Sequence, residues 1–89
     1  MCISGSWIEY RDRDCHNGYG GTNIIPHPVV DPQTLDNCKS VCLATKDCSG
    51  VVFGKPNAPY PGCHLRKDVE AQNCRKSSNY NLYIFTGKN

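Results

Sequence analysis

The stretch Cys38-Lys39-Ser40-Val41-Cys42, followed by Cys48-Ser49-Gly50-Val51-Val52-Phe53-Gly54 and then Cys63-His64-Leu65-Arg66-Lys67, decides how this chain reads. Cys38 and Cys42 are four residues apart, so on a helix they share one face. Cys48 and Cys63 each stand beside a short apolar run of strand character. The spacing describes a helix stapled to a sheet by two bridges.

The elements on either side follow from local signals. Thr34 is a suitable N-cap and Asp36 falls in the first turn, where the positive end of the helix favours a carboxylate. Leu35, Cys38, Cys42 and Thr45 lie within one arc of a 3.6-residue period, with Val41 beside it, and Lys39, Ser40 and Lys46 face out. This pattern predicts a helix over 35–45, with Asp47 and Gly50 bracketing its exit. Gly50 to Gly54 reads as a buried strand. Lys55 to Gly62 contains Pro56, Pro59 and Pro61 and reads as a loop. Cys63 to Lys67 alternates in against out, as a half-buried strand would, and the polar run 68–78 reads as irregular. The last strand is expected over 79–86, with Tyr80, Leu82, Ile84 and Thr86 on one face and Tyr83 and Phe85 on the other.

Upstream, Ser6 to Arg11 reads as a first strand. It leads into the turn-rich Asn17-Gly18-Tyr19-Gly20-Gly21-Thr22-Asn23 and a short strand Asn23-Ile24-Ile25, before Pro26 and Pro28 break regular structure. The sum is an α+β domain with one helix packed on a curved antiparallel sheet of four to five strands.

The 89 residues make a single domain. A hydrophobic content of 38% and a mean hydropathy of −0.54 imply a small core that needs covalent support. Disulfides supply about 2 to 4 kcal/mol each for loops of these lengths. Seven cysteines are unusual for a reducing compartment and point to a secreted or extracellular protein. Zinc is the competing use of cysteine, but there is no Cys-x2-Cys pair, and His16, His27 and His64 lack metal-ligand spacing. No cofactor is expected. Seven cysteines allow about a hundred ways of forming three bridges, and spacing alone leaves the pairing open.

Met1 leads directly into Cys2 without a basic start or an apolar run, as in a mature fragment with an added start Met. No apolar run approaches a membrane span, so no membrane insertion is expected. The net charge of +2 is interspersed, as in Arg11-Asp12-Arg13-Asp14, which argues against nucleic-acid binding.

Taken in order and at their spacing, the Cys38-x3-Cys42 helix, the Cys48 strand and Cys63-His64-Leu65-Arg66-Lys67 resemble a PAN/apple domain. Gly20-Gly21-Thr22-Asn23-Ile24 resembles the family's Gly-x-Asp-Ile/Leu segment, with Asn23 in place of Asp, and Arg66 stands where the family usually has Lys. The resemblance spans about residues 7–86. It implies a helix cradled on a curved antiparallel sheet, with bridges Cys38–Cys63 and Cys42–Cys48. Apple-type members add a bridge near the chain ends, which implies a bridge from Cys74 to Cys15 or Cys2 here; Cys15–Cys74 is the preferred pairing, with Cys2 unpaired or bridged to another chain in a possible homodimer.

Nothing in the sequence forms a triad, a carboxylate pair or a phosphate loop. Cys63-His64 is adjacent in sequence, which places the two on opposite strand faces rather than together as nucleophile and base. The chain therefore reads as a non-catalytic binding module. Trp7 and Tyr80 read as core, whereas Tyr19 and Tyr60 lie in Gly/Pro-rich loops. Aromatic faces beside Arg, Lys and Asn donors hold sugar rings or form protein hot spots. The candidate ligand-binding residues are Tyr60, His64, Arg66, Lys67 and Tyr83. Members of the PAN/apple family bind galactose-type sugars or extracellular proteins, so the resemblance implies recognition of a glycan or glycoprotein. The alternatives are a structural or adhesive module that associates through protein contacts, and a toxin or protease inhibitor.

Overall fold

A computed structural model describes residues 6–15, 18–24 and 34–86. Its one α-helix, α1 (Leu35–Ala44), starts where the Thr34 hydroxyl accepts a hydrogen bond from the Asn37 N–H at 3.2 Å. It stops at Thr45, whose backbone is extended and whose hydroxyl donates back to the Val41 carbonyl at 2.6 Å. Asp47 takes a left-handed backbone (φ 67°), a conformation that aspartate tolerates better than most residues. The resulting turn returns the chain to Cys48, 5.3 Å from Cys42 between Cα atoms, within disulfide range.

The described strands are β1 (Trp7–Tyr10), β2 (Arg13–Asp14), β3 (Thr22–Asn23), β4 (Gly50–Gly54), β5 (Gly62–Lys67), β6 (Arg75–Lys76) and β7 (Tyr80–Phe85). Five of them form an antiparallel sheet in the order β1-β7-β4-β5-β3, and β2 pairs with β6 in a second, two-stranded sheet. Strand β4, made of the apolar run Val51-Val52-Phe53, lies at the centre, as β-branched residues buried on both faces allow.

Alternation along the strands gives two clusters, one on each face. On the helix face, Val51, Cys63, Leu65 and Tyr83 pack with Cys38, Cys42 and Cys48, and Trp7, Leu35 and Phe53 close the margin. On the other face, Val52, Tyr80 and Leu82 pack with Cys15 and Ala58, under Tyr10, Val69, Ala71 and Cys74. Trp7 is only half-buried and meets Phe85 with ring centroids 5.1 Å apart.

Three disulfides tie these layers: Cys38–Cys63 joins α1 to β5, Cys42–Cys48 joins α1 to the entry of β4, and Cys15–Cys74 closes the second layer. Gly20 makes the last closure possible. Its φ is +87°, and a Cβ there would lie 2.6 Å from the Cys74 sulfur. The three bridges fit an oxidising environment. No helix among the described residues is long and apolar enough to cross a membrane.

Several local expectations change. Strand β5 does not alternate between core and solvent: Cys63, His64, Leu65 and Arg66 are all buried, because Cys15, Tyr60 and Tyr80 close over the face opposite the helix. The run 68–78 is not wholly irregular; it holds a 3-10 turn (Ala71–Asn73) and β6. Lys39 is half-buried rather than outward, with its ammonium 5.1 Å from the Tyr83 ring centroid and 5.5 Å from that of Trp7, in cation–π range. The short strand expected at Asn23–Ile25 is Thr22–Asn23, followed by a bend at Ile24. Ile25, Cys2, His16 and His27 lie outside the described residues.

The bridges close segments of 59, 25 and 6 residues. If they act through the entropy of the unfolded chain, replacing Cys15 and Cys74 by Ala destabilises by about 4 kcal/mol, Cys38 and Cys63 by about 3.5, and Cys42 and Cys48 by about 2. Denaturant unfolding of the three double variants checks that order. Equal midpoint shifts would mean that the bridges act through native packing instead.

Candidate functional site

Strand β5 carries His64 and Arg66 on the face away from the helix, one residue apart in the alternation. Both are only 6% exposed. Where the short second layer stops, a cleft of about 370 Å³ opens, lined by Asp14, Pro59, Tyr60, His64, Arg66, Ser77, Asn79 and Tyr80. That volume suits a small ligand.

The 55–62 loop forms one wall and is pinned along its length. The Lys55 ammonium donates to the Ser78 carbonyl at 2.6 Å and meets the Asp12 carboxylate at 3.3 Å. The Ala58 N–H donates to the Lys55 carbonyl, and the Ala58 side chain is buried. The Tyr60 N–H donates to the Tyr80 hydroxyl at 3.1 Å. Gly54 lets the loop fold back this closely, since a Cβ there would stand 2.5 Å from the Tyr60 carbonyl oxygen. With its backbone held, Tyr60 stands 66% exposed, the most exposed large hydrophobic residue described.

The Tyr60 carbonyl also fixes His64, whose Nε2 lies 2.7 Å away. A carbonyl oxygen only accepts, so Nε2 carries the proton and Nδ1 is an acceptor while the ring is neutral. Burial pushes the His64 pKa below its ordinary 6.5. The hydrogen bond to Tyr60 opposes this, the nearby Arg66 charge adds to it, and Asp14 acts against it.

Arg66 donates from Nε to the Cys15 carbonyl at 2.8 Å and from Nη1 to the Leu65 carbonyl at 3.0 Å. Burial lowers its pKa from the ordinary value, with Asp14 opposing, but a guanidinium keeps its charge in proteins. Among the described residues no carboxylate lies within ion-pair distance of it. Two of the five guanidinium N–H groups are thus engaged with neutral carbonyls, and the others have no partner among the described residues. The Asp14 carboxylate and the Asn79 side-chain amide likewise have no hydrogen-bond partner among the described residues.

The fold therefore brings Tyr60, His64 and Arg66 together and separates them from Lys67 and Tyr83. Lys67 is half-buried on β5 beside Thr22, on the helix face by alternation. Tyr83 is 6% exposed in the helix-side cluster and donates its hydroxyl to Glu9 at 2.9 Å. Burial and that hydrogen bond raise its pKa. Glu9 is held below the usual carboxylate range first by its hydrogen bond from Arg11 and then by that from Tyr83. This set satisfies itself and lies across the sheet from the cleft. Sequence reasoning missed Asp14, Ser77, Asn79 and Tyr80 as cleft residues, because only the β2–β6 pairing and the chain reversal before β7 bring them beside β5. All six described cysteines are in disulfides, and no group of three or more His, Cys, Asp or Glu side chains comes together among the described residues as a metal site requires.

No family model matches the chain, and neither the curated proteins nor the solved structures contain a significant match to it.

The His64 shift has a definite sign. The unfolded chain takes up a proton near pH 6.5, whereas the folded chain takes it up only at lower pH. Between those values the unfolded state binds more protons, so stability falls as pH falls below 6.5, and this contribution levels off below the folded pKa. Melting curves from pH 7.5 to 5 for the wild type and His64→Gln check this, since Gln keeps a donor for the Tyr60 carbonyl. The wild type is expected to lose more stability on acidification; parallel curves would rule out a His64 contribution.

Proposed function

We propose that this chain is an extracellular, non-catalytic binding module of PAN/apple type that recognises a glycan or glycoprotein through the cleft between the 55–62 loop and β5. The observation that carries the reading is the chemistry of the cleft. An exposed tyrosine ring stands on a pinned loop beside a carboxylate, an amide and a guanidinium that all have hydrogen-bonding capacity to spare. Sugars present apolar C–H faces flanked by hydroxyls that both donate and accept. A flat aromatic face with mixed donors and acceptors around it complements that pattern.

The holding interactions favour binding further. The prolines and the bonds to Lys55, Ala58 and Tyr60 fix the loop before a ligand arrives, so little ordering entropy opposes association. The PAN/apple assignment rests on the cysteine framework and the order of the motifs. The extracellular assignment rests on the three bridges, which a reducing cytosol does not sustain.

A glycan array covering neutral, sialylated, sulfated and uronate-containing structures tests the reading. Binding is expected, and Tyr60→Ala is expected to weaken it tenfold or more, the scale of a lost aromatic hot spot. Its melting temperature should stay unchanged because the ring is largely solvated. Tyr83→Phe, on the opposite face of the sheet, serves as the control and should bind as the wild type does. An array without signal, or equal binding by Tyr60→Ala, would refute the assignment.

A further inference from the structure

We infer that the cleft selects an uncharged sugar and rejects acidic ones, with a ligand hydroxyl pair bridging the Asp14 carboxylate and the Arg66 guanidinium. The inference rests on the glycan reading of the cleft and adds the ligand class.

The argument is one of charge and capacity. Among the described residues, the cleft is lined by one cation, Arg66, and one anion, Asp14. They are too far apart to form an ion pair within 4.0 Å, yet close enough for Asp14 to act on both His64 and Arg66. Among the described residues each keeps hydrogen-bonding capacity of opposite kind: Asp14 only accepts, and Arg66 only donates. A hydroxyl both donates and accepts without carrying charge, so adjacent hydroxyls of a neutral ring engage the two residues at once. The Asn79 amide supplies one more donor and one more acceptor at the rim.

An acidic sugar fits this arrangement poorly. Its carboxylate would gain from Arg66 but would be brought against the like charge of Asp14, which opposes it. His64 adds no compensating charge at neutral pH, because burial disfavours its protonated form. Arg66 also has limited freedom to follow a displaced anion, since its Nε–H and one Nη1–H are bound to the carbonyls of Cys15 and Leu65.

The probes are matched pairs that differ only at C6: methyl glucoside with methyl glucuronide, and methyl galactoside with methyl galacturonide. Each is titrated into isotopically labelled protein at pH 7.5, following the backbone amides of Tyr60, His64 and Asn79. The expected result is saturable shifts with at least one neutral glycoside and at least tenfold weaker binding of its uronide. Asp14→Asn keeps the shape and removes the charge. It is expected to weaken the neutral glycoside and to narrow the gap between the pair. A uronide that binds as tightly as its parent overturns the inference and leaves the glycan reading standing, and an undiminished preference in Asp14→Asn overturns the role given to Asp14. If no glycoside or uronide shifts these amides, and the array is silent as well, the glycan reading falls and the inference falls with it.

Discussion

Strand β5 is covered on both faces, and the two coverings are fastened to it differently. Cys63 points to the helix and is bonded to Cys38, while Arg66 points the other way and donates to the Cys15 carbonyl, next to the Cys15–Cys74 bridge. One strand of six residues thus anchors the helix layer covalently and the second layer by a charge-assisted hydrogen bond. Its neighbours depend on it in turn: β3 has no other strand partner among the described pairings, and β4 is held between β5 and β7.

This arrangement explains why so small a chain needs so much sulfur. Among the described residues, the fully buried side chains of real size are two leucines and two valines, Leu65, Leu82, Val51 and Val52, and the rest of the innermost set is cysteine. Burying such side chains contributes about 1.5 to 3 kcal/mol each, which cannot alone offset the ordering of the chain. The cystines serve twice. They fill the gap between helix and sheet as apolar volume, and they restrict the unfolded chain. Both apolar clusters contain half-cystines, so neither layer is independent of the bridges.

The fold was legible because its signals are local. The Thr34 cap, the four-residue cysteine spacing, the Val51-Val52-Phe53 run and the alternation before Phe85 each act over a few residues, and the elements lie within a residue or so of where those signals put them. The second layer was not legible for the converse reason. Strands β2 and β6 are two residues each, below the length at which periodicity can be seen, and they exist because distant segments meet. The same cause misplaced part of the site. Alternation along β5 puts His64 and Arg66 on one face and Lys67 on the other, but nothing local showed that Asp14 and Asn79 would stand beside Arg66, or that Tyr83 would be sealed under Lys39.

The cleft and the disulfides are two consequences of one compromise. A central strand buried on both faces would be most stable with apolar residues at every position, yet β5 places His64 and Arg66 beneath the second layer. Each must be held by a backbone carbonyl, since an unpaired buried polar group costs about 1 to 3 kcal/mol and an unpaired charge more. Apolar residues of similar volume would pack without that requirement. They would also close the gap from which the guanidinium and the imidazole can be reached. Polar side chains at these two positions leave the second layer short of apolar contact, and the Cys15–Cys74 bridge secures it by a means that does not depend on packing. A solvated, chemically mixed cleft can therefore persist in the middle of a domain whose core is otherwise too small to spare the space.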